Sequence, residues 1–89
     1  MFDLHNQTAI VTGGAAGIGR GIVESLREAG ATVIIADLDL AAAERTAAET
    51  GSHARHLDVT DREQVRTVFA DIAEEFGGIQ ILCSNAGVF

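Results

Sequence analysis

A glycine-rich turn is the part of this sequence best suited to chemistry. It reads Thr12-Gly13-Gly14-Ala15-Ala16-Gly17-Ile18-Gly19, after a short apolar run and before a segment of helical periodicity. A bound phosphate needs backbone N–H groups that point at it, and the positive end of a helix dipole favours the same anion. In this spacing Gly13 permits a sharp turn, Gly17 lets the backbone approach a pyrophosphate, and Gly19 allows close packing of helix on strand. The turn therefore predicts a phosphate site, with an ordinary glycine-rich loop as the alternative; a Walker A loop is excluded because the sequence has no lysine.

An aspartate ends the next apolar run. Asp37 comes eighteen residues after Gly19, near the offset at which a dinucleotide-binding fold places the acidic residue that accepts hydrogen bonds from the adenosine ribose. The alternative role for such an aspartate is a helix N-cap, which Asp39 could also provide. A 2′-phosphate ~4 Å from this carboxylate would be repelled by ~1–4 kcal/mol, and no cation at residues 14–16 or at Leu38 relieves it. We therefore expect NAD(H) to be preferred over NADP(H).

Short apolar runs alternate with helix-period segments along the whole chain. Strands are predicted at residues 8–11, 32–36, 53–57 and 79–83, and helices at 17–29, at 40–50 and after a Thr60/Glu63 capping box. Parallel strands joined by right-handed crossovers predict an α/β fold, a partial Rossmann-like doubly wound sheet of order 3-2-1-4. Ligands in such sheets bind at the carboxyl ends of the strands, where the glycine turn and Asp37 fall.

Composition and charge narrow the classes of function. The chain is 47% hydrophobic and long enough for one small domain. Its net charge of −7 and its scattered arginines disfavour nucleic acid, and no apolar run approaches the roughly 18 residues that cross a bilayer. The N-terminus has no signal-peptide pattern and Cys83 is the single cysteine, so we expect a soluble cytoplasmic protein. The histidines are dispersed, and no metal site is predicted.

Four marks together resemble the short-chain dehydrogenase/reductase family, over essentially the whole chain. The glycine turn is similar to the family's TGxxxGxG fingerprint, and Asp37 stands where members hold the ribose. Asp58-Val59 stands where members contact adenine, although simple turn chemistry also explains an aspartate there. Asn85-Ala86-Gly87 resembles the NAG motif, with Ser84 in place of a frequent second Asn. The resemblance implies cofactor-binding roles for Gly13, Gly17, Ile18, Gly19, Asp37, Leu38, Asp58, Val59, Asn85, Ala86 and Gly87.

The resemblance also shows what this sequence lacks. The family uses a Tyr-x-x-x-Lys pair and a Ser for its chemistry, and this sequence contains neither Tyr nor Lys. We therefore expect residues 1–89 to be a partial NAD(P)-binding Rossmann domain, a fragment of an oxidoreductase that acts on alcohol or carbonyl compounds, with no catalytic residue and no activity in isolation. A non-catalytic dinucleotide-binding or interaction module is the alternative. The uncharged strand at residues 79–83, at an edge of the predicted sheet, also predicts self-association.

Overall fold

The computed structural model describes residues 3–85, in which strands and helices alternate strictly. The elements are β1 (Thr8–Thr12), α1 (Gly17–Glu28), β2 (Thr32–Asp37), α2 (Leu40–Thr50), β3 (His53–His56), α3 (Arg62–Phe76) and β4 (Ile81–Ser84). All three strand pairs are parallel, in the order β3-β2-β1-β4. The predicted α/β, Rossmann-like doubly wound topology is thus confirmed.

Two hydrophobic layers cover the sheet, one on each face. Because strand side chains alternate between faces, Ala9 and Val11 of β1 pack with α1 and α2, whereas Ile10 packs with α3. Burying each such Val or Ile contributes about 1.5–3 kcal/mol. The central strands β1 and β2 are therefore packed on both faces. Within residues 3–85, no helix is long and apolar enough to cross a membrane.

The third helix begins differently from the sequence prediction. Its N-cap is Asp61, whose Oδ1 accepts a hydrogen bond from the backbone N–H of Gln64 at 3.1 Å. The predicted Thr60/Glu63 capping box is therefore wrong. The hydroxyl of Thr60 instead donates to Oδ1 of Asp58 at 2.6 Å, so it belongs to the turn that precedes the helix.

All four strands differ slightly from the predicted ranges, and β1 and β2 each extend one residue further, to Thr12 and Asp37. β3 ends at His56, one residue early, and β4 runs from Ile81 to Ser84 instead of over residues 79–83. Gly78 has a φ of +126°, outside the range of an L-residue strand, so the chain is still turning when it reaches Ile79. The side chain of Ile79 packs with the α3 layer. The later start leaves β4 paired with β1 up to the Thr12–Ser84 pair, at the carboxyl edge.

Candidate functional site

The glycine turn leaves the carboxyl end of β1 and is tied to the neighbouring strand. Gly13 and Gly17 have φ values of +67° and +61°, in the left-handed region that residues with a Cβ rarely adopt. The backbone N–H of Gly13 donates to the carbonyl of Ala36 in β2 at 2.9 Å. A Cβ built on Gly17 would meet nothing within 4 Å, so the space in front of this residue is open to a ligand.

Gly19 sits where helix α1 comes closest to the turn. A Cβ on Gly19 would lie 2.1 Å from the carbonyl oxygen of Gly13 and 2.8 Å from Nδ2 of Asn85. Nδ2 of Asn85 donates to that same Gly13 oxygen at 3.2 Å, and the Asn85 N–H donates to Oγ1 of Thr12 at 3.0 Å. Three residues singled out in the sequence therefore meet at one point, between β1, α1 and the end of β4.

The N-terminus of α1 differs from those of the other two helices. Its N-cap is Ala16, which offers no side-chain acceptor, and its first turn contains no acidic residue. Helices α2 and α3 are capped by the carboxylates of Asp39 and Asp61. In the part of the chain that the structure describes, no side chain accepts from the first N–H groups of α1. These groups and the positive end of the helix dipole are therefore available to an anion.

The carboxylate of Asp37 lies against the glycine turn. Its Oδ2 accepts from the backbone N–H of Ala15 at 3.2 Å, and its Oδ1 accepts from the N–H of Asp39 at 3.0 Å. The N-cap of α2 is Asp39, so the capping role that the sequence left open for Asp37 is taken by its neighbour. Each carboxylate oxygen has two acceptor positions, and each therefore keeps one for a ligand.

Two large apolar side chains are exposed beside these groups. Ile18, in the first turn of α1, is 80% exposed, and Leu38, next to Asp37, is 66% exposed. Exposure of that extent leaves apolar surface in contact with water at a cost of roughly 25 cal/mol per Å². A flat, largely apolar ring bound there would cover it.

Asp58 and Val59 follow β3, where Asp58 forms hydrogen bonds and Val59 packs against the α3 layer. Oδ1 of Asp58 accepts from the hydroxyl and from the N–H of Thr60, at 2.6 and 2.9 Å, and these bonds lower the pKa of the Asp58 carboxyl. Oδ2 accepts no hydrogen bond within residues 3–85, so the carboxylate is an ionised acceptor with one oxygen unused. Val59 is half-buried in the α3 layer. The N–H of Leu57 donates to the carbonyl of Asp37 at 3.0 Å, which brings this turn beside the end of β2.

The remaining sequence candidates, Ala86 and Gly87, lie outside the described residues.

An arginine next to the site is held by two carboxylates on the surface. Arg20, directly after the glycine motif, forms ion pairs with Glu24 at 3.3 Å and with Glu49 at 2.6 Å, and both partners raise the pKa of its guanidinium. It bridges the surfaces of α1 and α2.

One residue at the site was missed by the sequence analysis. Thr46, in α2, is 3% exposed, and its hydroxyl donates to the carbonyl of Ala15 at 2.6 Å. The only signal in the sequence is a threonine within an alanine-rich helical face, which also fits an ordinary packing position.

Comparison with known proteins identifies the family. A family model described as short chain dehydrogenase matches residues 7–89. The chain belongs to the short-chain dehydrogenase family. The family binds nicotinamide dinucleotide cofactors, and the confirmed fold is the one that the resemblance implied.

Relatives of this short-chain dehydrogenase chain include two enzymes named for polyols. Galactitol 2-dehydrogenase from Agrobacterium fabrum (strain C58 / ATCC 33970) is 48% identical over 88 residues, which are 97% of this chain and 34% of that protein. Sorbitol dehydrogenase from Cereibacter sphaeroides is 44% identical over 88 residues, with the same coverage of 97% and 34%. The chain thus spans about a third of the length of these relatives.

A solved structure gives the same picture for the fold. A protein from Brucella melitensis 16M, named ribose-5-phosphate isomerase, matches with a TM-score of 0.92 and 36% identity, over 99% of this chain and 34% of that one. Its name is that of an isomerase, whereas both relatives above are dehydrogenases. One fold hosts different reactions, so this match supports the architecture alone.

Proposed function

We propose that this chain is the NAD(H)-binding portion of an oxidoreductase that transfers hydride between NAD(H) and an alcohol or carbonyl substrate. The observation that carries the proposal is the hydrogen bond from the Ala15 N–H to Oδ2 of Asp37. It joins the phosphate-type turn to the ribose-type carboxylate in one site, as a dinucleotide requires. The family relatives named as dehydrogenases favour this function over a non-catalytic module.

The pyrophosphate would bind at the N-terminus of α1. The uncapped N–H groups of its first turn supply donors, and the open space in front of Gly17 supplies room for the phosphate oxygens. Gly13 and Gly19 would act indirectly, since they set the turn and its distance from the helix. This use of a helix N-terminus needs no lysine.

The adenosine half would bind over the ends of β2 and β3. The free acceptor positions of Asp37 would accept hydrogen bonds from the ribose hydroxyls, and Oδ2 of Asp58 would accept one from the exocyclic amine of adenine. Ile18 and Leu38 would cover the ring with their exposed side chains. Val59, which packs with the α3 layer, would contribute through its backbone and by holding Asp58 in place.

The nicotinamide half would follow the end of β4. Asn85 donates hydrogen bonds to the Gly13 carbonyl and to the Thr12 hydroxyl, and the family resemblance supports a contact between the backbone of Ala86 and Gly87 and the cofactor ribose. When bound, NAD⁺ supplies the hydride acceptor. Residues 1–89 supply binding and orientation only, since they include no Tyr or Lys to move a proton. Because two relatives are named for galactitol and sorbitol, we propose polyols as the first substrates to test with an enzyme that carries this chain.

The cofactor proposal is tested by calorimetric titration of the chain with NAD⁺ and NADP⁺. Repulsion of ~1–4 kcal/mol between Asp37 and a 2′-phosphate predicts NAD⁺ binding about tenfold to a thousandfold tighter. Asp37→Ala should bring the dissociation constants of NAD⁺ and NADP⁺ closer together. Asp39→Ala is the matched control: it removes a neighbouring carboxylate that caps α2, costs ~1 kcal/mol of stability, and should leave the ratio unchanged. Equal or tighter binding of NADP⁺ by the unaltered chain would overturn the assignment.

A further inference from the structure

The glycine turn is anchored to helix α2 by a single buried side chain. The Thr46 hydroxyl donates to the Ala15 carbonyl at 2.6 Å, with Thr46 3% and Ala15 8% exposed. A buried carbonyl that loses its donor keeps the full cost of its desolvation. This bond therefore fixes Ala15 relative to α2 more firmly than an exposed bond of the same length would.

Ala15 forms a second hydrogen bond, to Asp37, the carboxylate that we propose excludes NADP(H). Its N–H donates to Oδ2 of Asp37 at 3.2 Å, so a path of two hydrogen bonds runs from Thr46 through Ala15 to Asp37. The other oxygen, Oδ1, is held by the N–H of Asp39. Two backbone N–H groups therefore position the Asp37 carboxylate, and the bond from Ala15 depends on the position of Ala15.

The conformation of the turn makes the Thr46 anchor necessary. Ala15 lies between Gly13 and Gly17, both in the left-handed region, and glycine has the widest range of accessible backbone conformations. Without the Thr46 hydroxyl, packing and the bond to Asp37 are what remain to position Ala15, and we expect a small rotation at the two glycines to carry the Ala15 N–H away from Asp37. The carboxylate then turns about its one remaining anchor, and both its bonds to a ribose and its repulsion of a 2′-phosphate weaken.

We propose that Thr46 is a positioning residue that sets the preference for NAD(H) over NADP(H), acting through Ala15 on Asp37. This inference rests on the proposed function, because it concerns the same cofactor site. Thr46 contacts the turn, while Asp37 would contact the cofactor. The quantity that it controls is the ratio of the two dissociation constants, which a purely structural role would leave unchanged.

The test is calorimetric titration of NAD⁺ and NADP⁺ into Thr46→Val and Thr46→Ser. The valine is isosteric but has no hydroxyl, and we expect it to narrow the NAD⁺/NADP⁺ ratio by about fivefold, the factor that one ordinary hydrogen bond represents. The serine keeps the hydroxyl and should retain the ratio. Thr50→Val is the matched control on the same helix, because the Thr50 hydroxyl donates to the Thr46 carbonyl and contacts Ser52, not the turn. It should leave the ratio unchanged.

A double-mutant cycle shows whether the effect passes through the carboxylate. In an Asp37→Ala background, Thr46→Val should no longer change the ratio. If Thr46→Val does not fold, Thr46→Ala replaces it, since the smaller side chain leaves room for a water on the Ala15 carbonyl, and the same narrowing is expected.

The outcomes separate this inference from the function on which it rests. An unaltered ratio in the hydroxyl-free variants, or an equal change in the Asp37→Ala background, would overturn the role of Thr46 and leave NAD(H) binding intact. Failure of the unaltered chain to bind either dinucleotide would overturn both.

Discussion

The close approach of α1 to the glycine turn can be tested with two alanine substitutions in one helix. Gly19 and Gly21 both lie in α1, so each Gly→Ala change gains about 1 kcal/mol of helix propensity. They differ in surroundings. A Cβ on Gly21 meets nothing within 4 Å, whereas a Cβ on Gly19 would lie 2.1 Å from the Gly13 carbonyl oxygen.

The expected free energies follow from that contact. Ordinary van der Waals contact begins at 3.4 Å, so the backbone of the turn must shift by about 1 Å to admit the Gly19→Ala methyl group. Overpacking of this kind costs ~1–3 kcal/mol, and a shift of the Gly13 carbonyl also breaks its bond from Asn85, worth ~1 kcal/mol. After the helix-propensity gain, Gly19→Ala should destabilise the chain by about 2 kcal/mol, while Gly21→Ala should stabilise it by about 1 kcal/mol.

Thermal unfolding followed by circular dichroism measures both variants. In a domain of this size, 1 kcal/mol corresponds to ~4–8 °C, so Gly19→Ala should lower the midpoint by roughly 10 °C and Gly21→Ala should raise it by roughly 5 °C. Gly19→Ala should also weaken NAD⁺ binding, since the turn is displaced. Equal midpoints for the two variants would show that the turn yields freely, and our account of the junction at Gly13, Gly19 and Asn85 would be wrong.

Three further predictions concern stability, activity and association. Because the hydrogen bonds from Thr60 lower the pKa of the Asp58 carboxyl on folding, its contribution to stability is present above the unfolded pKa and is lost as the pH falls through the folded pKa. The stability advantage of the chain over Asp58→Asn, measured by thermal unfolding, should therefore be constant near neutral pH and disappear in acid. The isolated chain should show no NADH formation with any polyol, since general acid/base catalysis typically contributes 10²–10⁴-fold and its groups are missing; a rate proportional to purified protein would contradict this. The chain should self-associate through β4, where Leu82 is 49% exposed on an edge strand; Leu82→Lys should suppress this in sedimentation experiments, and a monomer at all concentrations would refute it.

The sheet order was predictable because each strand and helix carries its own local signal. The β-branched run of β2, the stripe of α3 and the glycines after each helix mark the elements, and right-handed crossovers then leave few topologies. The positions of Gly13, Asp37 and Asn85 at strand ends follow from that order. This is why candidates far apart in sequence could be expected to share one edge of the sheet.

The N-cap of α3 and the role of Thr46 could not be predicted, because the sequence does not show which of several possible hydrogen-bond partners a side chain will choose. Thr60 and Asp61 are adjacent good N-cap residues. In the structure Asp58 accepts from both the N–H and the hydroxyl of Thr60, so Thr60 belongs to the turn and Asp61 caps the helix. Thr46 was overlooked for a different reason. Its partner is a backbone carbonyl in another element, and a backbone group has no residue type that a motif search could detect.

The bond between the Ala15 N–H and Asp37 also affects how this fold could be redesigned. Under the proposed preference for NAD(H), a change to NADP(H) requires removal of the repelling carboxylate of Asp37 and addition of a cation for the 2′-phosphate. Here the acidic side chain is also the acceptor for an N–H on a residue that is 8% exposed, so its deletion leaves that donor unpaired at a cost of ~1–3 kcal/mol. An Asp37→Asn replacement combined with Leu38→Arg would keep an uncharged oxygen at the position that accepts from Ala15 and introduce the required positive charge. A substitution at Asp37 that changes the coenzyme preference therefore also has to preserve the stability of the glycine turn.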